Sequence, residues 1–312
     1  MSTDRQRRTH DLPDLTPKQS EKIPTWRAAY SDRTSALMAA FCELAYLPFE
    51  IAPPPPAPGA PKNERPSGHE ELQAHLKAGE FRLVKVFNKD DTQAFLAVRD
   101  TEFAVLAFRG TTTLEDWRTN LRVRRVPLPD VPDVKVHCGF LQAFECCKDE
   151  IKAAVHDNVP DDLGLYITGH SLGGALAQIA SAVLERPNLA ACYTFGSPRV
   201  GTSDFDRQVK CPHYRLINNW DLVPSVPPPM YRGYYHTGDP RLLTPSAHGQ
   251  EALRRDRRFL VSLAVDIWAL ARWAISRKLL VIDDHMIWNY RTQLEDIANY
   301  RSGGPQGTGL TR

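Results

Sequence analysis

The sequence predicts an α/β fold with a mostly parallel central sheet covered by helices on both faces. Short apolar runs of strand length alternate with amphipathic helical patterns along most of the chain. The run 103–108 is apolar almost without interruption, as a strand buried on both faces requires. No internal repeat breaks the order, which argues for one domain. The 312 residues are 42% hydrophobic and 24% charged, a composition that suits a packed chain and excludes a disordered or collagen-like one. Lys plus Arg is 39 against 37 Asp plus Glu, so no basic surplus argues for nucleic acid as a partner.

The elements follow in order. Residues 1–24 are polar and interrupted by Pro13, Pro17 and Pro24, and read as a flexible tail. Leu37, Met38, Phe41, Leu44 and Ala45 then recur at helical spacing, with Ser31 or Asp32 to cap the start and Pro48 to stop the helix. Residues 52–68 hold seven prolines and read as an exposed, polyproline-like loop, more a spacer than a docking site. A short helix near 70–78 precedes three strand-like runs at 81–87, 94–98 and 103–108. A helix over 138–156 follows, then an apolar run at 163–168. Leu172, Leu176, Ile179, Ala180, Val183 and Leu184 next line one side of a helix. Strand-like runs at 192–195 and 214–217 continue the alternation, and a helical run beginning near His285 ends near Tyr300. The domain is expected to span 25–301, with 302–312 a second flexible tail.

The segment Tyr166-Ile-Thr-Gly-His-Ser171-Leu-Gly-Gly-Ala175 contains Gly169-x-Ser171-x-Gly173 between an apolar strand and an amphipathic helix. A strained strand-to-helix turn in that context lifts a serine hydroxyl clear of the sheet, and the flanking glycines let the backbone fold tightly. The helix N-terminus behind it favours developing negative charge. Serine needs a base to take its proton, and the base needs an acid to orient it.

Asp204, Asp206, Asp221 and Asp239 are the candidate acids downstream. Asp221 stands out, because it follows the 214–217 strand and so falls at a carboxyl end, where parallel sheets place their sites. The candidate bases are His213, His236, His248 and His285. His213 precedes a strand and falls at the wrong edge, and His236 suits a structural role. His285, on a loop ahead of a helix, suits a reaching base, although pattern alone leaves the choice open.

These residues resemble the class 3, fungal-type lipase family of the α/β-hydrolase superfamily. The matching blocks are 167–175, Ala107-Phe-Arg-Gly-Thr111 followed by Asp116-Trp117, Val136-His-Cys-Gly-Phe140, Thr194-Phe-Gly-Ser-Pro198-Arg-Val-Gly201, Asp221-Leu-Val-Pro224 and Asp284-His285. The six blocks are co-linear over roughly residues 30–300. The resemblance implies an α/β-hydrolase fold, with Ser171 as nucleophile, Asp221 as acid and His285 as base. It also implies an oxyanion hole formed by Thr111, and the Leu172 N–H suits the second donor. The activity implied is serine carboxylic-ester hydrolysis, the reaction of a lipase on acylglycerols, without metal or organic cofactor. Phospholipase A1 and short-chain carboxylesterase activity use the same machinery and remain alternatives, as does a catalytically silent lipid-binding scaffold.

The family places a lid where 112–122 lies, and Leu114, Trp117 and Leu121 give that run an apolar side. A plain surface helix fits it nearly as well. Arg254, Arg255, Arg257 and Arg258 lead into the apolar run 259–275, which Asp266 and Arg272 make too charged to span a membrane. A core helix and an interfacial helix both remain open there. The partner expected is a lipid or ester substrate, with peripheral contact at a membrane or lipid-droplet surface and no obligate protein partner. The six cysteines show no metal or CxxC spacing and read as reduced thiols. The basic N-terminus has no apolar run after it, so the expected location is cytoplasmic.

Overall fold

The computed structural model describes residues 11–21, 23–24, 28–49, 67–90, 92–111, 124–218, 221–227, 233–243, 253–255 and 283–301. Helix α1 (Asp32–Leu44) starts where the Ser31 side chain accepts the Thr34 N–H. Helix α2 (Gly68–Ala78) begins with a capping box, in which Ser67 and Glu70 satisfy each other's backbone N–H. Strands β1 (Arg82–Lys89), β2 (Thr92–Arg99) and β3 (Phe103–Phe108) form an antiparallel meander. A separate hairpin, β4 (Arg125–Leu128) and β5 (Val131–His137), leads into α3 (Cys138–Asn158). Then come β6 (Gly164–His170), α4 (Leu172–Val183), β7 (Leu189–Phe195), β8 (His213–Asn218), β9 (Asp239–Leu243), β10 (Leu253–Arg255) and α5 (Ile287–Arg301).

The main sheet has the order β1-β2-β3-β6-β7-β8-β9-β10. Strands β3, β6, β7, β8 and β9 run parallel to one another, and β10 closes the edge antiparallel to β9. Every residue of β3, β6 and β7 is buried, which accounts for their near-continuous apolar runs. The two-residue period of the strands divides these side chains between two cores. Phe95, Ala97, Val105, Ala107, Tyr166 and Tyr193 pack under α1 and α5. Leu96, Ala104, Leu106, Phe108, Ile167 and Cys192 pack under α3 and α4. The result is a helix–sheet–helix sandwich with the carboxyl ends of its parallel strands at one edge.

The structure corrects two expectations. Part of the segment read as a flexible N-terminal tail is packed: Pro17–Ser20 form a helical turn, and Leu15 and Ile23 are buried in the α1/α2 core. Tyr166 donates its hydroxyl to the Pro24 carbonyl, and His75 Nδ1 donates to that of Pro13 at 3.1 Å. Gly79 leaves the space Leu15 needs, since a Cβ there would stand 2.8 Å from Leu15 Cβ. Two isolated apolar residues dock this segment without any periodic pattern.

Arg254 and Arg255, read as leading into a helical run, pair as strand residues with Leu242 and Arg241. The whole 259–275 run lies outside the described residues, as do 1–10, 302–312 and most of the Pro-rich stretch. The end of that stretch, Ser67 and Gly68, belongs to the start of α2.

Candidate active site

Four parallel strands bring the candidate residues to one edge of the sheet. β3 ends at Phe108 and leads to Gly110 and Thr111, β6 leads directly to Ser171, β7 to Gly196, and β8 to Asp221. His285 closes a short 3-10 turn, Asp283–His285, just ahead of α5.

Ser171 is buried and sits at φ 56°, ψ −126°, a conformation that costs an L-residue about 1–3 kcal/mol. The turn is closed by its neighbours. A Cβ at Gly169 would collide with the Gly173 carbonyl, and one at Gly173 with the Phe108 carbonyl oxygen. The Ser171 N–H donates to the Phe195 carbonyl at 2.9 Å, tying the turn to β7. Leu172 is the first residue of α4, so its N–H has no acceptor within the helix. A Cβ built on Gly110 would stand 3.2 Å from Ser171 Cβ, so the Gly110-Thr111 backbone passes beside the serine.

Asp221 is buried and fully engaged. Its Oδ1 accepts the Val223 N–H at 2.9 Å; its Oδ2 accepts His285 Nδ1–H at 2.8 Å and the Tyr290 hydroxyl at 2.6 Å. A carboxylate in this setting only accepts, so the His285 proton resides on Nδ1 and Nε2 carries a lone pair. That Nε2 is buried and has no hydrogen-bond partner among the described residues. Gly196, at φ +56°, makes room for the pair: a Cβ there would stand 2.5 Å from Asp221 Oδ2 and 3.0 Å from His285 Nδ1.

His285 packs against His170, the residue before Ser171. The His170 and His285 rings lie 4.5 Å apart, and His170 Nε2 is 2.6 Å from the His285 carbonyl oxygen. Its Nδ1 lies 2.8 Å from the Tyr46 hydroxyl.

The other candidates fall elsewhere. His213 opens β8 at the opposite edge of the sheet, bonded to Thr194 and Thr237 at 2.9 Å each. Burial and then the Arg215 charge push its pKa down to about 3. His236 lies outside the strands and donates Nε2–H to the Pro224 carbonyl at 2.8 Å. Asp204 pairs with Arg207 on the surface, Asp206 accepts the Gly238 N–H, and Asp239 pairs with Arg241 in β9. His248 and the lid candidate 112–122 lie outside the described residues. No group of three or more His, Cys, Asp or Glu side chains suited to a metal occurs among the described residues.

Sequence reasoning passed over Tyr290 and Tyr46. Tyr290 offered a usable signal, because it stands on the buried stripe Ile287, Tyr290, Leu294, Ile297, where a hydroxyl needs a partner.

Residues 105–231 match the family model for lipase (class 3). Over that stretch the chain is similar to the class 3 lipase family. The lipase of Rhizomucor miehei is 34% identical over 166 residues, which are 49% of this chain and 46% of the relative. The secreted mono- and diacylglycerol lipase 1 of Fusarium solani is 37% identical over 139 residues, 43% of this chain and 41% of the relative. The chain thus spans under half the length of these curated relatives. Among solved structures, one described as a triacylglycerol lipase with a serine protease triad as its catalytic centre aligns over 82% of this chain and 94% of its own. It is 25% identical, with a TM-score of 0.57. The fold is the α/β-hydrolase fold.

Proposed function

We propose that this chain is a serine carboxylic-ester hydrolase acting on acylglycerols, with Ser171 as nucleophile, His285 as base and Asp221 as the acid that orients it. The carrying observation is the buried Asp221–His285 pair at 2.8 Å, which leaves an unpartnered Nε2 beside the strained Ser171 turn. Nε2 takes the Ser171 hydroxyl proton as the oxygen attacks the ester carbonyl carbon. The tetrahedral oxyanion lies against the Thr111 and Leu172 N–H groups, and the α4 dipole adds favourable charge. Collapse breaks the ester C–O bond, and the His285 proton leaves with the alcohol. Water then attacks the acyl-enzyme, losing its proton to Nε2. The second collapse releases the fatty acid and returns the proton to Ser171.

The mono- and diacylglycerol lipase relative and the triacylglycerol lipase structure favour acylglycerols. The class 3 lipase relatives' lipid substrates also favour peripheral contact with a lipid surface, and no helix among the described residues is long and apolar enough to cross a membrane. The six cysteines form no disulfide and four are buried, which favours a reducing compartment such as the cytoplasm. The test is hydrolysis of triacyl-, diacyl- and monoacylglycerols, phosphatidylcholine and short-chain esters by wild type and Ser171→Ala. Acylglycerol turnover that disappears in the variant is expected. A preference for phosphatidylcholine would move the reading to a phospholipase, and turnover that survives in Ser171→Ala would overturn the mechanism.

A further inference from the structure

The geometry points to His170 as a positioning residue that, held in one tautomer by Tyr46, grips the His285 carbonyl and so fixes the base relative to Ser171. This rests on the hydrolytic reading above and adds a part to the same site.

His170 is the last residue of β6 and is 3% exposed. Its Nε2 stands 2.6 Å from the His285 carbonyl oxygen, which can only accept, so Nε2 carries the proton. Nδ1 then has only a lone pair to offer, and it accepts the Tyr46 hydroxyl proton at 2.8 Å. Both ring nitrogens are used, and the arrangement is satisfied by one tautomer alone. Burial, and then the neighbouring His285, push the His170 pKa well below 6.5. The ring is therefore a neutral strut and not a second proton carrier.

What the strut holds matters for catalysis. The Asp284 carbonyl accepts from Asn218 Nδ2 at 3.0 Å, and the next carbonyl, that of His285, accepts from His170. Two successive carbonyls of the base-bearing turn are thus held from the ends of β8 and β6. β6 also carries Ser171 on its next residue. One strand end therefore carries the nucleophile and grips the base, so the spacing between them is set locally. Asp221 fixes the imidazole at Nδ1 only, and Nε2 has no partner among the described residues to hold its direction. A buried histidine with a purely structural role would stabilise the fold without setting the base in this way.

The experiment compares wild type, His170→Phe, His170→Gln, Tyr46→Phe and Ser171→Ala on a soluble short-chain p-nitrophenyl ester. Rates are expressed per folded molecule, and the rate constant for labelling by a fluorophosphonate probe is measured alongside. His170→Phe should lower kcat and the labelling rate together by about 100-fold, with KM within about threefold. His170→Gln, whose amide Nε2 can still donate to the His285 carbonyl, should recover at least about tenfold of that loss. Tyr46→Phe should lower kcat at least about threefold at unchanged KM. Folded His170→Phe with a labelling rate within about twofold of wild type would overturn the role. Should His170→Phe not fold, the other two variants decide: an unchanged kcat in Tyr46→Phe overturns it, and a fall in kcat at constant KM supports it. Wild type that takes no label at Ser171 would instead sink the hydrolytic reading, and the role with it.

Discussion

Tyr290 donates its hydroxyl to the same Asp221 oxygen that accepts His285 Nδ1–H, at 2.6 Å against 2.8 Å. The same hydroxyl oxygen accepts the Asn218 N–H at 2.9 Å, so one side chain of α5 secures the end of β8 and the acid beyond it. Tyr290→Phe strands a buried N–H, and the expected loss of stability is about 1–3 kcal/mol. Asp221 keeps its bonds to His285 and Val223, so turnover should fall only by about tenfold, well short of the loss on removing a triad member. Urea denaturation and ester kinetics on the variant check both halves. Unchanged stability would mean the Asn218 N–H finds another acceptor.

The strained turn makes a prediction that separates backbone from chemistry. Ser171→Ala and Ser171→Gly should both be inactive, but at φ 56° glycine is relieved of a strain that alanine keeps. Ser171→Gly should therefore be about 1 kcal/mol more stable than Ser171→Ala. Thermal melts of the two purified variants decide it, and equal melting temperatures would argue against strain at the elbow.

Gly196 lies at φ +56° and faces both Asp221 Oδ2 and His285 Nδ1. Gly196→Ala should lose more than about 2 kcal/mol of stability through overpacking and strain combined. Its folded fraction should also be slow in ester turnover, because the acid–base pair must part to admit a methyl group. Full activity in a stable variant would show that this loop shifts freely.

His137→Ala and His285→Ala should differ sharply in turnover, and His137 bears on acid stability. Burial pushes its pKa down to about 4, and His213 is held down to about 3. In the unfolded chain both titrate near pH ~6.5, so the unfolded state takes up protons first as the pH falls. Their contribution is complete above about pH 6.5 and is lost on acidification towards each folded value, at up to about 1.4 kcal/mol per pH unit per histidine. His137→Asn, which keeps an N-cap acceptor for α3, should remove about one proton from that dependence. Urea midpoints near pH ~7, ~6 and ~5 would show it as a shallower slope.

Much of the scaffold was legible because its signals are local. The buried runs of β3, β6 and β7 read as strands from their apolar continuity, and the Gly169–Gly173 pattern marked the turn that Ser171 occupies. Asp221 was legible from its place after β8. His285 was weaker, since a short 3-10 turn leaves no periodicity to read and its pairing with Asp221 spans distant parts of the chain. The docking of Leu15 and Ile23 was invisible for a related reason: burial of single residues depends on the surface they meet. Tyr46 and Tyr290 were missed because a hydroxyl in an apolar helix pattern names no partner until the fold supplies one.

The chain order of the site also bears on when activity arises. A ribosome releases β6, the Ser171 turn and α4 well before Asp221, and Asp221 well before His285 and α5. A nascent chain can therefore pair its central parallel strands while the serine still has no base. On the mechanism proposed above, hydrolysis waits for α5 to settle against α1, where Ile287, Leu294 and Ile297 join the core. On the same mechanism, proteolytic cleavage ahead of Asp283 would part His285 and α5 from the strands and leave Ser171 with no base.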